Sequence, residues 1–119
     1  CDKEFSKCDW ATIPSGITND KISSFHLYLL RIKGISEEQR DAIIQLINEE
    51  EVGVNVHYIP MPMLTLFKEL GYMIQDYPNT YKMYANEITL PIYNGLTEEQ
   101  LKRVTAVVIE SVNKIITHQ

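Results

Sequence analysis

The stretch Phe25-His26-Leu27-Tyr28-Leu29-Leu30-Arg31-Ile32-Lys33-Gly34-Ile35-Ser36-Glu37-Glu38-Gln39 sets the architecture. From Ser24 to Lys33 the chain is β-rich and apolar on both alternating faces, which suits a central strand covered on one side and partly on the other. Gly34 and Ile35 turn the chain into Ser36-Glu37-Glu38-Gln39, a capping box in which the Ser36 hydroxyl accepts from the Gln39 amide and the Gln39 side chain reaches back. Ile43, Ile44, Leu46 and Ile47 follow at helical spacing, predicting a helix to about Glu50. The same template recurs further on. Ile88 to Tyr93 reads as a strand that Pro91 confines to an edge or a bulge, Asn94-Gly95 makes a turn, and Thr97-Glu98-Glu99-Gln100 is a second capping box. Leu101, Val104, Val107, Val108, Val112, Ile115 and Ile116 then draw one apolar stripe along a long helix. Between the two units, Val54 to Tyr58 alternate as a short middle strand. The expected fold is α+β: a two-layer sandwich with a small, mainly antiparallel three-stranded sheet and helices packed on one face. Convergent capping explains the echo as well as duplication does.

The remaining segments are less regular. Residues 1–22 mix charges, small polar residues and the turn elements Pro14, Ser15 and Gly16, and read as an irregular lead-in with one extended piece near Trp10. The domain proper then runs over residues 23–119. Residues 63–70 suit two helical turns stopped by Gly71, and a short helix starts at Pro78, a favoured first-turn residue, and ends near Asn86.

At 119 residues there is room for a single domain, and a chain of this length buries about two-thirds of the surface its unfolded form exposes. Sixteen acidic against eleven basic residues, a net charge of −5, argue against nucleic acid or an anionic membrane as partner. No apolar run approaches the roughly 18 residues of a membrane span, and no signal-peptide pattern is present. Cys1 and Cys8 are read as reduced thiols near a terminus, with a small disulfide loop as the alternative. An opening Cys fits a fragment of a longer polypeptide best; a processed, lipid-anchored domain would also start that way. No cysteine–histidine cluster with zinc spacing occurs.

The chain lacks GxGxxG, GxxxxGK[ST], GxSxG and HExxH, so hydride transfer, nucleotide hydrolysis and zinc proteolysis are not expected of it. His118 lies in the tail, and His26 reads as a hydrogen-bonded core histidine. His57 ends a short strand, shares a face with Asn55, and precedes Tyr58-Ile59-Pro60-Met61-Pro62. That is the pattern of a ligand-facing rim; a solvated outer face would look the same, and the residues alone leave the two level. Lys33 superficially suits a Schiff-base lysine, yet the adjacent Gly34 turn reads as a solvent-facing strand end. Met61, Met63 and Met73 with Phe67, Tyr72 and Tyr77 read as packing under a long loop, or as an interface onto another domain.

The order of these motifs is itself informative. Ser24-Phe25-His26-Leu27-Tyr28, then Arg40-Asp41, Val52-Gly53-Val54-Asn55-Val56-His57-Tyr58-Ile59-Pro60-Met61-Pro62, Gly71-Tyr72, Asp76-Tyr77-Pro78 and Leu90-Pro91-Ile92-Tyr93-Asn94-Gly95-Leu96-Thr97-Glu98-Glu99-Gln100 follow one another. Over about residues 22–117 this resembles the C-terminal small domain of the DegT/DnrJ/StrS-type nucleotide-sugar aminotransferases. The resemblance implies a fold-type-I, pyridoxal phosphate (PLP)-dependent, cytoplasmic homodimer. Such an enzyme moves an amino group, usually from glutamate, onto a nucleotide-linked keto-sugar in polysaccharide or amino-sugar biosynthesis. It also implies that the reactive lysine and most cofactor ligands belong to a large domain outside this sequence, so the chain alone carries no catalytic or cofactor-binding residue and is inactive in transamination. His57 and Tyr58 match the motif by which this domain approaches the substrate cleft, and Asn55 joins them by alternation. The reading from a different class is a stand-alone ferredoxin-like α+β module that binds or regulates through a small molecule.

Overall fold

The computed structural model describes residues 1–91 and 93–118. Helix α1 (Asp2–Phe5) and strand β1 (Ala11–Thr12) come first, then β2 (Tyr28–Ile32), α2 (Glu37–Glu49), α3 (Thr65–Glu69), α4 (Pro78–Ala85), β3 (Glu87–Leu90) and α5 (Glu98–Thr117), with 3₁₀ turns at Met61–Met63 and Ile74–Asp76. Both capping boxes are present as expected. Ser36 Oγ accepts from the Gln39 amide at 3.2 Å while Gln39 Oε1 accepts from the Ser36 amide at 2.8 Å, and Thr97 and Gln100 repeat the exchange at 3.1 and 2.9 Å.

The sheet is antiparallel throughout, in the order β1-β2-β3. Its register sets Leu30 opposite Ile88, and Arg31 opposite Glu87. Because strand side chains alternate, Leu30, Ile32, Ile88 and Leu90 fall on one face. They are buried against Ile43 and Ile47 of α2 and Val104, Val108 and Val112 of α5. Leu29, Arg31, Glu87 and Thr89 fall on the opposite face, away from this core. The α+β class and the three-stranded sheet are therefore as expected. A ferredoxin-like split βαβ would place another strand between the two that α2 joins; here β2 and β3 are direct neighbours.

Several local expectations are corrected. Residues 1–22 are not irregular throughout: they supply α1, the sheet edge β1 and a small arm closed by the Ile17–Ile22 bridge, and Phe5 is completely buried in the core. Phe5 stacks edge-on to Trp10 and tilted to Tyr28, contacts between distant segments that no local period reveals. The middle strand at Val54–Tyr58 reduces to one antiparallel bridge. Asn55 and Thr89 exchange backbone hydrogen bonds at 3.1 and 2.7 Å, after which the chain departs, with a cis peptide between His57 and Tyr58. β2 starts at Tyr28 rather than Ser24, since Phe25 turns left-handed at φ +53°, and His26 is consequently exposed rather than a core residue. Gly16 lies against that bend: a Cβ there would sit 2.4 Å from Phe25 Cε1. The third predicted strand begins one residue earlier, at Glu87, and ends at Leu90; its Ile92 lies outside the described residues.

The methionine and aromatic group does not pack under a loop. Met61, Tyr72, Met73 and Tyr77 are exposed, and with Tyr58, Ile59, Leu64, Leu66, Leu70, Tyr81 and Met83 they leave a broad apolar surface on the segment between α2 and β3. Cys1 and Cys8 are free thiols.

Candidate functional site

The second face of the sheet is polar and roofed by the segment that follows Asn55. Glu87 and Thr89 are 3% and 5% exposed. Burying a carboxylate demands hydrogen bonds, and Glu87 has them. Its Oε2 accepts from the His57 backbone N–H at 3.0 Å, and its Oε1 accepts from the Thr89 hydroxyl. His57 Nδ1 lies 2.8 Å from the same hydroxyl oxygen. A hydroxyl has one proton. With that proton on the Glu87 bond, Nδ1 must donate to Thr89, which in the neutral ring makes Nε2 the acceptor. Burial pushes the Glu87 carboxyl above the usual glutamate range, and the bonds from Thr89 and the His57 amide pull part of the way back.

His57 and Tyr58 together line a cleft of about 270 Å³ with Leu29, Arg31, Met83 and Glu87. Tyr58 is 73% exposed and stands edge-on to the imidazole, ring centroids 4.5 Å apart. Asn55 is not brought to this cleft. Its Oδ1 accepts from the Val56 amide at 2.8 Å, a local bond that holds the side chain beside its own backbone. The geometry thus unites two of the three residues singled out and adds Glu87, Thr89 and Arg31, which sequence reasoning missed. A signal for the first two existed: in Glu87-Ile88-Thr89-Leu90 the polar residues alternate with core residues, so both face away from the helices.

A second network fixes one wall of the cleft. Arg40, 2% exposed, donates from Nη1 to the Tyr84 carbonyl at 2.8 Å and from Nε to Asp41 at 2.7 Å, and lies 4.8 Å above the Tyr84 ring. The Tyr81 and Tyr84 hydroxyls both donate to Glu37, at 2.9 and 3.0 Å. Burial, together with the Glu37 carboxylate, raises the Tyr84 hydroxyl above the ordinary tyrosine range. The start of α2 is thereby bolted to α4, whose Thr80, Met83 and Tyr84 flank the cleft.

Among the described residues, no group of three or more His, Cys, Asp and Glu side chains could hold a metal ion, and no helix is long and apolar enough to cross a membrane. No lysine lines the His57 cleft. Lys33, at the exposed end of β2, donates to the Asp9 carbonyl at 3.2 Å.

Comparison with known proteins extends this picture. The Bacillus subtilis (strain 168) spore coat polysaccharide biosynthesis protein SpsC is 30% identical over 111 residues, which cover 87% of this chain and 28% of SpsC. The dTDP-3-amino-3,6-dideoxy-alpha-D-galactopyranose transaminase of Aneurinibacillus thermoaerophilus is 25% identical over 98 residues, 82% of this chain. Among solved structures, Spr1654 of Streptococcus pneumoniae, assigned as a sugar aminotransferase, superposes in its apo form with a TM-score of 0.91 at 34% identity, covering 98% of this chain and 29% of that one. It has also been solved in PLP and PMP forms. The chain spans about a quarter of the length of these relatives, from 24% to 29%. The sequence pattern of the DegT/DnrJ/EryC1/StrS aminotransferase family matches residues 2–109, and the chain belongs to that family.

Proposed function

We propose that this chain is the C-terminal small domain of a PLP-dependent aminotransferase. The whole enzyme would move an amino group from glutamate to a nucleotide-linked keto-sugar, in a cytoplasmic homodimer that serves polysaccharide or amino-sugar biosynthesis. The observation that carries the reading is a fold shared end to end with a sugar aminotransferase of which it is only 29%. The division into a lead-in at residues 1–22 and a small domain at 23–119 belongs to the same proposal, with Phe5 of α1 and the pairing of β1 with β2 tying the lead-in to the core. The exposure of Met61, Leu66, Leu70 and Met73, all large apolar side chains on one segment, supports it as well, since such surfaces commonly mark an interface.

The residues present do not fit PLP. The cofactor needs a lysine in a sheltered site, whereas Lys33 sits just past the exposed end of β2 and the His57 cleft has none. The cofactor and its chemistry therefore lie with the rest of the polypeptide, and no step through them follows from this chain. What this chain contributes is a substrate wall. His57 offers Nε2 as an acceptor for a ligand hydroxyl, Tyr58 offers an exposed ring and a phenol, and Glu87 and Thr89 hold the imidazole in one orientation.

The test is made in the complete polypeptide that contains this chain. Borohydride reduction in the presence of PLP should label a lysine outside these 119 residues; a label on Lys33 or any other lysine here would overturn the division of labour. His57→Ala should raise KM for the sugar substrate while leaving the cofactor absorbance intact, and unchanged kinetics would remove His57 from the site.

A further inference from the structure

We propose that the cleft between the end of β2 and α4 is a second binding site, which takes the phosphate or diphosphate of a ligand on Arg31, Lys33 and Lys82. The site is assembled from three elements. Alternation along β2 carries Arg31 and, just past its end, Lys33 to the face turned away from the core. Asn79, Lys82, Met83 and Asn86 follow at i, i+3, i+4 and i+7, one continuous face of α4 and its C-terminal residue. Thr12 of β1 also lines this open cleft, whose volume is about 570 Å³, within the range of small-molecule sites.

The charge distribution is the argument. The chain carries a net charge of −5, yet this cleft is lined by three cations and no acid. Elsewhere four of the eight remaining cations are paired with acids, Lys7 with Glu4, Arg40 with Glu37 and Asp41, Lys102 with Glu98 and Lys114 with Glu110, and the other four are not gathered around one cleft with each other. The side chains of Arg31 and Lys82 make no hydrogen bond or ion pair among the described residues, and the Lys33 ammonium has only the Asp9 carbonyl. Glu87 lies opposite Arg31 in the register, but both its oxygens are engaged by His57 and Thr89. Three like charges around one concavity repel, and a multiply charged anion is the partner that turns this repulsion into attraction. Arg31 and Met83 border both this cleft and the His57 cleft, so one extended ligand can occupy both.

The test uses the 119-residue chain and inorganic pyrophosphate, followed by ¹H–¹⁵N NMR at constant ionic strength, with sodium sulfate as the comparison anion. Saturable shifts confined to residues 31–34 and 79–86 are expected. Arg31→Gln and Lys82→Gln should each weaken binding by about tenfold, and Lys114→Gln, on the far helix, should not change it. Uridine diphosphate as a second probe separates the sources. Tighter binding than pyrophosphate with shifts reaching His57 assigns a nucleotide-borne diphosphate, and equal binding assigns a free phosphate. Non-saturating shifts spread over Lys102 and Lys114, or affinity unchanged in both Gln variants, would overturn the site. Lys82 is exposed on α4, so its variant carries the test if substitution at Arg31 impairs folding. Pyrophosphate binding stands or fails independently of whether the complete polypeptide is a transferase.

Discussion

Replacing Glu87 by Gln tests the polar face through a proton rather than a contact. The carboxylate has two accepting oxygens, one on the His57 amide at 3.0 Å and one on the Thr89 hydroxyl; Gln has one. The His57 N–H can only donate, so the Gln oxygen must turn to it, and the Gln NH₂ then faces Thr89 Oγ. That hydroxyl now accepts from Gln and has its proton free for His57 Nδ1, 2.8 Å away. The imidazole should therefore change from Nδ1–H to Nε2–H, and the group presented to the cleft should change from an acceptor to a donor. The stability cost is small. Two hydrogen bonds to a charged group become bonds to a neutral one, a loss of about 1 kcal/mol each, while relief from burying a carboxylate returns a similar amount. The net change should stay within about 1 kcal/mol, a Tm shift of at most about 8 °C. Glu87→Ala instead strands the His57 N–H and empties a buried volume, at about 3 kcal/mol. Long-range ¹H–¹⁵N correlation of the His57 ring, recorded on the neutral imidazole, reads the tautomer directly. An Nε2–H ring in the unmodified protein, or an Nδ1–H ring retained in Glu87→Gln, would refute the reasoning.

Three further predictions concern stability. Because burial raises the Glu87 carboxyl, the folded state binds more protons than the unfolded state between the ordinary glutamate range and the raised value. The contribution of Glu87 to stability should therefore fall as pH rises through that window and level off above it; Tm of the unmodified protein minus that of Glu87→Gln should fall in the same window, and a rise would reverse the sign of the burial effect. Arg40→Ala removes the cation that joins Glu37, Asp41 and the Tyr84 carbonyl. With Asp41 largely exposed and able to rehydrate, the loss should be about 2–4 kcal/mol by chemical denaturation, and a loss below about 1 kcal/mol would mean that the network adds nothing. Ser36→Ala and Thr97→Ala should each cost about 1 kcal/mol, and because the two caps lie on separate helices the double variant should lose the sum.

The interface between local and distant information runs through single residues. Ser36 and Gln39, and Thr97 and Gln100, meet within one helical turn, so both helix starts are readable from four letters each. The stripe from Leu101 to Ile116 is equally plain, because a 3.6-residue period needs no partner to be seen. The segment 54–58 shows where this stops. Its alternation is that of a strand, but among the described residues only Asn55 of this segment pairs with the sheet, at Thr89, and His57 is held instead by a carboxylate thirty residues later. Phe5 looked like part of an irregular lead-in because its burial depends on Trp10 and Tyr28, not on its neighbours. His26 looked buried because the bend at Phe25 has no sequence signal of the kind a glycine provides.

The sequence by itself determined the class of the fold, the two capped helices, the strands β2 and β3 and the family resemblance. These rest on periodicity and capping, which act over a few residues, and on motif order. Only the tertiary structure decided that the lead-in completes the sheet, and that Glu87 and Thr89 orient His57 while Asn55 turns away. It alone gathered Arg31, Lys33 and Lys82, spaced across fifty residues, around one cleft. Those features depend on which strand lies beside which and on what roofs the polar face, and chain entropy must be overcome at long range before either is settled.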